Sequence, residues 1–188
     1  IAAAIGSDMR RRHPLPKLWL LTDERQGAAL WTALARLPRG SGVVVRHYGL
    51  PDTDRRCLFA RITRLGRARG WTVLLAGDAM LARAWRADGH YGSAAGGGGL
   101  PMAPVHDRAE IRAAERARAN LLVLSPMFPT RSHPGVATLG TLGFVALVRK
   151  TQLPVIALGG VTKRHAALVK RLGAHGWAGI DAFTAPNQ

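Results

Sequence analysis

Cysteine is nearly missing from this sequence, since Cys57 is the single one among 188 residues. One cysteine cannot form an internal disulfide, which excludes a disulfide-stapled secreted domain and favours a reducing cytoplasm. The segment RRCLFARI around Cys57 is typical of a helix, and no partner pattern that would activate the thiol accompanies it. We therefore expect a cytoplasmic protein in which Cys57 is packed and inert.

Long apolar stretches are missing as well. No run of about 18 uncharged apolar residues occurs, so no transmembrane helix is predicted. The opening IAAAIG is too short for a secretory signal and has no basic region before it. The arginines and prolines that follow it predict a flexible basic leader over residues 1–16. Hydrophobic residues make up 47% of the chain, enough for one substantial core in residues 17–188.

Negative charge and lysine are both scarce. The 11 acidic residues stand against 27 basic ones, of which four are lysines, and the net charge is +16. Such a charge suggests nucleic-acid binding, but the arginines are scattered through alanine-rich helices such as RAEIRAAERARA. Neither zinc-finger spacing nor a helix-turn-helix signature accompanies them. We expect no nucleic-acid partner, because a basic surface suits small anionic substrates equally well.

Buried apolar runs and amphipathic helical segments alternate along the chain. The predicted strands are KLWLLTD, SGVVVRHYG, WTVLLAGD, NLLVLSP, LPVIALGG and GWAGIDAF. The stretch from Gly89 to Pro104 is irregular, and we expect only a short strand and a flexible loop there, with the glycines of residues 96–99 in the loop. The pattern predicts an α/β fold, a single (β/α)8 TIM barrel with a short or irregular fourth unit. A doubly wound sheet is the alternative, but its phosphate-binding glycine pattern is missing after the first strand.

Polar residues and glycines collect where the predicted strands end. Arg46, Asp78, His106 and Ser125 each follow a strand, and so does the Gly159–Gly160 pair. Active sites of barrels of this type are built at the carboxyl ends of the strands. The sequence therefore predicts a single rim that carries the functional side chains.

The segment from Asn120 to Phe183 resembles the thiamine-phosphate synthase family, which shares its barrel with thiazole tautomerases. The resemblance is carried by NLLVLSPMFPTRSHPGVATLGTLGF and PVIALGGVTKRHAALVKRLGAHGWAGIDAF, and the earlier LWLLTD, VVVRHYG and RADG are compatible with it. It implies a transferase in which an aminopyrimidine methyl pyrophosphate loses pyrophosphate, and the pyrimidine cation is captured by the nitrogen of a thiazole phosphate. It also implies Mg²⁺ as cofactor and is compatible with a homodimer.

The resemblance assigns roles residue by residue. Arg46 matches the arginine that holds pyrophosphate, and His133 stands where the family commonly has lysine. Ser125, Thr130 and Ser132 match positions at which the substrate phosphates are contacted. The phosphate of the thiazole would lie on backbone N–H groups near Gly159, Gly160, Gly179 and Ile180. Asp181 replaces a family serine and would repel that phosphate unless it points away or binds a cation.

Several family positions are substituted here. The glutamine and lysine that flank the pyrophosphate arginine are replaced by Val44 and Tyr48, and the family's Asn-Asp pair is replaced by Ala76 and Gly77. Asp78 is the remaining candidate for a magnesium ligand, provided that the turn is rearranged. Its other expected role is to cap the next helix.

Two further functions stay open. His106 matches a histidine that the tautomerases use for proton transfer, which would make the protein an isomerase with His106 as acid or base and no metal. The third hypothesis is a non-catalytic binder of thiazole phosphate or thiamine phosphate. The substituted Asn-Asp pair favours these two, whereas Arg46, Thr130 and Ser132 favour the transferase. The sequence therefore predicts a synthase-like transferase first.

Overall fold

Eight parallel strands close into a barrel in the computed structural model, which describes residues 14–92, 98–130 and 135–183. Each strand pairs with its neighbours along the chain, and the first strand pairs with the last. The strands are β1 Leu18–Leu21, β2 Gly42–Val45, β3 Thr72–Ala76, β4 Gly89–Tyr91, β5 Leu100–Val105, β6 Leu121–Leu124, β7 Val155–Ala157 and β8 Gly176–Gly179. The predicted (β/α)8 barrel is thereby confirmed.

Among the described residues a helix follows every strand except β4 and β8, and the helices cover the outside of the barrel. They are α1 Ala29–Arg36, α2 Asp52–Arg69, α3 Ala79–Ala84, α4 Arg108–Arg116, α5 Gly140–Val148 and α6 Ala166–Arg171. Short 3₁₀ turns follow β1 at Glu24–Gln26 and precede α6 at Lys163–His165. Within the described ranges, no helix is long and apolar enough to cross a membrane.

The inside of the barrel is filled by every second residue of the strands, because side chains alternate between the two faces of a strand. Trp19 lies at the start of β1, is fully buried, and donates its indole N–H to the Pro16 carbonyl at 2.9 Å. Its ring occupies the space that a Cβ on Gly42 would need. The remaining inner residues include Leu21, Val44, Leu74, Met102, Leu121, Val123 and Ile156.

The outer core lies between the strands and the helices. It holds the alternate strand residues, such as Leu20, Val43 and Leu75, together with the apolar faces of the helices. Arginines contribute to this layer as well. Arg61 of α2 stacks on Trp31 of α1 with its guanidinium carbon 3.7 Å from the ring centre, and Arg69 donates to carbonyls at the end of α1. Part of the arginine excess therefore joins helices to one another.

Two local expectations are wrong. The stretch from Gly89 to Pro104 forms two strands and not one, because β5 contains prolines, which lower the strand propensity of its sequence. The second concerns α2, which begins after Pro51 and has Asp52 in its first turn, where the helix dipole favours a carboxylate. Cys57 is exposed on α2 and not packed.

Candidate active site

The carboxyl ends of all eight strands lie at one rim of the barrel because the strands are parallel. The predicted residues follow these ends in order: Arg46 after β2, Asp78 after β3, His106 after β5, Ser125 and Thr130 after β6, Gly159 and Gly160 after β7, and Gly179 with Ile180 at β8. Ser132 and His133 lie outside the described residues. The structure thus places every described candidate at the same rim.

Arg46 is tied to the end of β1. Its backbone N–H donates to the Thr22 hydroxyl at 3.0 Å, and its Nε donates to the Thr22 carbonyl at 2.8 Å. One Nη forms an ion pair with the Asp23 carboxylate. Both side chains of the pair are less than one-fifth exposed. The charge of Arg46 is therefore largely compensated within the protein.

Asp23 organises the loop after β1. It accepts from the backbone N–H of Arg25 at 3.1 Å and from the Nε of Arg25 at 2.7 Å. Burial alone would raise the pKa of Asp23, but these hydrogen bonds and the positive charge of Arg46 outweigh burial and hold the pKa below its usual value. Asp23 therefore stays ionised and keeps both arginines in place.

Asp181 lies close enough to Arg25 for its negative charge to help raise the pKa of that guanidinium, after the larger effect of the hydrogen bond to Asp23. A carboxylate beside a cation is partly neutralised. The expected repulsion between Asp181 and a phosphate near β8 is therefore reduced by Arg25.

His47 follows Arg46 and is 7% exposed. Its Nδ1 lies 2.9 Å from the hydroxyl oxygen of Thr22, and its backbone has a φ of 39°, which few residues other than glycine adopt. Burial is the main reason that the pKa of His47 is lowered, and it outweighs the opposing charges of Glu24 and Asp23. The imidazole is thus neutral near pH 7 and serves to position the Thr22–Arg46 contacts.

A second arginine, Arg55, reaches the rim from the first turn of α2. It is 6% exposed, and its Nε donates to the Arg46 carbonyl at 2.7 Å. Its Nη2 donates to the Ala76 carbonyl at 2.5 Å, so it bridges the ends of β2 and β3. Tyr48 and Trp85 flank the guanidinium, with ring centres 5.2 and 5.9 Å from its carbon.

The loop after β6 packs directly on the glycine pair after β7. A Cβ on Gly159 would lie 2.8 Å from the Cα of Pro126, and a Cβ on Gly160 would lie 2.5 Å from the Pro129 carbonyl oxygen. The backbone of Phe128 donates to the Gly159 carbonyl at 3.0 Å. Both glycines also have positive φ, so this close approach requires glycine at each position.

The backbone N–H groups after β7 are the predicted donors to the thiazole phosphate. Among the backbone hydrogen bonds of the described residues, none is donated by Gly159, Gly160 or Val161. Thr162 closes the turn, because its N–H donates to the Nδ1 of His165 at 3.1 Å. Three consecutive N–H groups at this strand end thus lack a backbone acceptor among the described residues, and such runs of N–H groups can bind anions. The glycine pair therefore has both a packing role and donors available for a phosphate.

The end of β8 is joined to the loop after β1. Gln26 donates from its amide nitrogen to the Ile180 carbonyl at 2.6 Å. The described backbone bonds contain none donated by the N–H of Ile180. Gly179 lies where an added Cβ would be 2.6 Å from the Cβ of Ala182. The Gln26 contact thus fixes the backbone at Ile180, whose N–H has no backbone acceptor among the described residues.

Ser125 and Thr130 flank the start of the loop after β6. The N–H of Ser125 donates to the Val105 carbonyl at 3.1 Å, which fixes Ser125 at the ends of β5 and β6. Thr130 is half-buried and is the last described residue before the segment 131–134. Their roles as phosphate ligands stay predictions.

The end of β3 does not offer a ligand set that fits magnesium. Asp78 caps α3, and one carboxylate oxygen accepts from Met80 N at 2.6 Å and Leu81 N at 3.0 Å. Ala76 and Gly77 supply no side-chain oxygen, and the part of the chain that the structure describes holds no cluster of three or more His, Cys, Asp or Glu residues. The Arg55 guanidinium on the Ala76 carbonyl would also repel a divalent cation placed there. The metal role of Asp78 stays a prediction, and its capping role is observed.

His106 lies at the end of β5 and contacts Glu110. Its Nδ1 is 2.8 Å from a carboxylate oxygen of Glu110, and its backbone N–H donates to the same oxygen at 2.7 Å. The imidazole is 56% exposed. Together with Asp107, which accepts from Glu110 N at 2.8 Å, the histidine belongs to the N-terminal cap of α4. Its catalytic role stays a prediction.

An open cleft of about 280 Å³ lies elsewhere, between the ends of α4 and α5 and the segment before β7. Glu115, Lys150 and Leu153 are among its lining residues. This is the amino-terminal face of the barrel, where residues contribute to stability rather than catalysis. The cleft is therefore not part of the candidate site.

Sequence reasoning missed Asp23 and Arg55 as site residues. A signal for Arg55 was present, because Arg55, Phe59, Ile62 and Gly66 follow the helical spacing of a buried face. An arginine on the apolar stripe of an amphipathic helix is buried by its position. Asp23 followed a predicted strand directly, but nothing in the sequence pointed to its pairing with Arg46 across the strands.

Comparisons with known proteins agree with this architecture. A sequence profile of the family described as Thiamine monophosphate synthase matches residues 103–183. The thiamine-phosphate synthase of Salinispora arenicola is 31% identical over 187 residues, and the match covers 90% of each protein. That of Myxococcus xanthus is 40% identical over 81 residues, which are 43% of this chain and 37% of the relative. Against relatives from Aquifex aeolicus and Chloroflexus aurantiacus, the chain spans 42% and 38% of their length.

A solved structure shows the same barrel. The thiamine phosphate pyrophosphorylase from Pyrococcus furiosus aligns with a TM-score of 0.73 over 91% of this chain and 88% of that chain, at 24% identity. At this identity the likeness establishes the fold. The Salinispora arenicola relative adds sequence similarity along nearly the whole chain. The chain therefore belongs to the thiamine-phosphate synthase family.

Proposed function

We propose that the protein is a thiamine-phosphate synthase-like transferase of thiamine biosynthesis. In the proposed reaction the bond between the pyrimidine methylene carbon and the pyrophosphate oxygen breaks, and pyrophosphate leaves with the electron pair. The thiazole nitrogen then donates its electron pair to the methylene carbon, which forms the new carbon–nitrogen bond. Such chemistry requires stabilisation of a leaving anion and alignment of two substrates more than a strong base.

The observation that carries the proposal is the donor set at the ends of β7 and β8. The N–H groups of Gly159, Gly160, Val161 and Ile180 are unbonded within the described backbone and lie at neighbouring strand ends. The loops after the seventh and eighth strands are the usual phosphate site of barrels. A thiazole phosphate fits this position. Arg46, at the end of β2 and separated from β8 by β1, would then contact the pyrophosphate of the second substrate.

The proposed site of the leaving group combines Arg46 with the loop after β6. Thr130 would contact the pyrophosphate from that loop, and Ser125 lies at its base. Ser132 and His133, which lie outside the described residues, would complete the contacts. The magnesium ligand that the family resemblance implies at Asp78 is not supported by its contacts, because its carboxylate caps α3. No step of the reaction is assigned to a metal.

The isomerase hypothesis is less well supported by the contacts of His106. A general acid or base needs a ring nitrogen within reach of the substrate. The Nδ1 of His106 is held by Glu110 in the cap of α4, which leaves only Nε2 for such a role. A non-catalytic binder would still bind a phosphate at the ends of β7 and β8, but it would not release pyrophosphate near Arg46.

A coupling assay tests the proposal. Purified protein with both substrates and magnesium is expected to release pyrophosphate above background. Arg46→Ala should weaken binding of the pyrimidine pyrophosphate by about tenfold or more, the effect of one charge-assisted hydrogen bond, and leave thiazole phosphate binding unchanged. The exposed Arg56 on α2 is the matched control, because Arg56→Ala removes the same charge away from the rim. Thiazole phosphate binding without any pyrophosphate release would contradict the transferase.

We further propose a cytoplasmic location, on the basis of the single cysteine, and no nucleic-acid partner, on the basis of arginines that join helices. A homodimer is a proposal from the family resemblance. Size-exclusion chromatography with light scattering measures the oligomeric state directly, and a monomer would contradict the dimer.

A further inference from the structure

Arg55 is a buried cation in an unfavourable place. It is 6% exposed and lies in the first turn of the 18-residue helix α2. The positive end of the helix dipole disfavours a cation there, and burial of a guanidinium costs free energy unless a negative charge compensates it. Burial accordingly lowers the pKa of Arg55.

The described residues do not provide that compensation. Among the described residues no carboxylate lies within 4 Å of the guanidinium, although Asp52 and Glu24 lie near enough to act at longer range. Arg46 beside it, by contrast, forms its ion pair with Asp23. The two arginines at the end of β2 therefore differ, since one is neutralised by the protein and the other is not.

The guanidinium also has unused donors. The two carbonyl bonds, to Arg46 and Ala76, occupy one N–H of Nε and one of Nη2, out of five N–H groups. Nη1 makes no hydrogen bond, yet it is not among the fully buried unbonded atoms of the described chain. Nη1 therefore reaches the surface at the rim.

The backbone next to the Ala76 carbonyl borders open space. Gly77 follows the carbonyl that Arg55 holds, and a Cβ built on Gly77 would meet nothing within 4 Å. Its φ of 116° turns the chain away from the strand. On the other side the Tyr48 ring lies against the guanidinium and is itself 61% exposed. The unused donors thus border an open region at the ends of β2 and β3.

We infer that Arg55 is the fixed positive charge of a pyrophosphate subsite at the ends of β2 and β3, and that this subsite binds the anion without a divalent metal. The inference rests on the proposed function for the identity of the anion. A planar guanidinium locked by two carbonyl bonds presents its remaining N–H groups in a fixed direction, which suits phosphoryl oxygens. The same guanidinium repels a divalent cation at the end of β3, so the two roles exclude each other.

Isothermal titration of the wild-type chain with inorganic pyrophosphate tests the metal independence without any variant. In EDTA we expect saturable binding, and added magnesium should not tighten it. Binding that occurs only with magnesium would overturn the inference. Inorganic pyrophosphate is a product of the proposed reaction, and its binding can be measured without turnover. This result therefore does not depend on the coupling assay.

Substitutions test the residue. Arg55→Met should weaken pyrophosphate binding in EDTA by about tenfold or more, as expected for a charge-assisted hydrogen bond, whereas Arg56→Met on the exposed face of α2 should stay within about twofold. Arg55→Lys serves if the methionine variant does not fold, and it should also weaken binding, because one ammonium cannot hold both carbonyls and an anion. Equal affinities of wild type, a folded Arg55 variant and Arg56→Met would overturn the assignment.

The two proposals fail separately. Pyrophosphate binding that depends on Arg55 in a protein without coupling activity would support the subsite and contradict the transferase. Coupling activity with pyrophosphate binding that ignores Arg55 or requires magnesium would support the transferase and overturn the subsite.

Discussion

The ion pair between Asp23 and Arg46 decides how much positive charge the rim offers to a substrate. Arg46 donates to Thr22 and pairs with Asp23, while Asp23 is also held by Arg25. A carboxylate in this position fixes the direction of Arg46 and at the same time competes with any anion for it. Asp23 is therefore a positioning residue whose removal has opposite effects on stability and on anion binding.

We predict that Asp23→Asn lowers the free energy of unfolding by about 1 to 2 kcal/mol at pH 7 and tightens pyrophosphate binding several-fold. The pKa of Asp23 is lower in the folded state, so its stabilisation is complete above pH of about 4 and is lost as the pH falls through the folded value. The stability difference between wild type and variant should accordingly shrink below that pH. Urea unfolding at several pH values, with titration calorimetry, measures both effects.

Asp52→Asn is the control for this prediction, because Asp52 is exposed in the first turn of α2 and carries the same charge without an ion pair. It should change stability by less than about 0.5 kcal/mol. If Asp23→Asn weakened pyrophosphate binding, the carboxylate would be holding Arg46 in its binding position rather than competing with the anion.

At this scale, sequence reasoning found Arg46 and missed the residue that controls it. The position of Arg46 follows from its place after a predicted strand, which holds for any barrel of parallel strands. The contacts of Asp23 and Arg55 depend on the register between β1, β2 and β3 and on the direction of two long side chains. A single sequence contains no information on either, apart from the helical spacing that buries Arg55.

A large side chain on β1, Trp19, packs over a glycine on β2, Gly42. Trp19 is fully buried inside the barrel, and its ring fills the space next to Gly42, with which it pairs. A rigid ring surrounded by other strands cannot move aside. The glycine therefore allows the barrel to hold a tryptophan at its base.

We predict that Gly42→Ala costs about 1 to 3 kcal/mol of stability by overpacking. Thermal or urea unfolding measures this, and Gly98→Ala is the control, because a Cβ there meets nothing within 4 Å. Trp19→Phe makes room for the methyl group, so the double variant should lose less than the sum of the two single variants. An additive double variant would show that the ring and the methyl group do not collide.

At the level of elements, the strands with strong apolar runs were predictable and β5 was not. Six strands were identified because each carries consecutive buried residues such as those of Leu121–Leu124. In β5 two prolines interrupt the apolar run. Its residues Leu100 and Met102 are buried because β5 pairs with β4 and β6 in the closed barrel. Local propensity was overridden there by the closure of the barrel.

For the whole molecule, the boundary of the barrel lies close to the predicted leader of residues 1–16. Leu15 packs against the inner core, and the Pro16 carbonyl accepts from Trp19. Deletion of residues 1–13 is the reference variant, because it keeps all the described residues of the barrel. Deletion of residues 1–16 should lower stability by about 1 to 3 kcal/mol, because the buried indole N–H loses its acceptor. Calorimetric scans of the two deletions make the comparison, and equal midpoints would contradict it.

The pairing of β1 with β8 closes the barrel. Every other pairing joins strands that follow one another in the chain, whereas Leu18 pairs with Trp177. Because these residues are so far apart in the sequence, the pairing of β1 with β8 costs the most chain entropy. Side chains at both ends of the barrel reinforce the pairing of β1 with β8. Gln26 donates to the Ile180 carbonyl, and the Nε2 of His175 lies 3.2 Å from the Leu15 carbonyl oxygen. The Gln26 contact, beside the phosphate donor proposed at Ile180, thus also links the loop after β1 to the end of β8 and helps to keep the barrel closed.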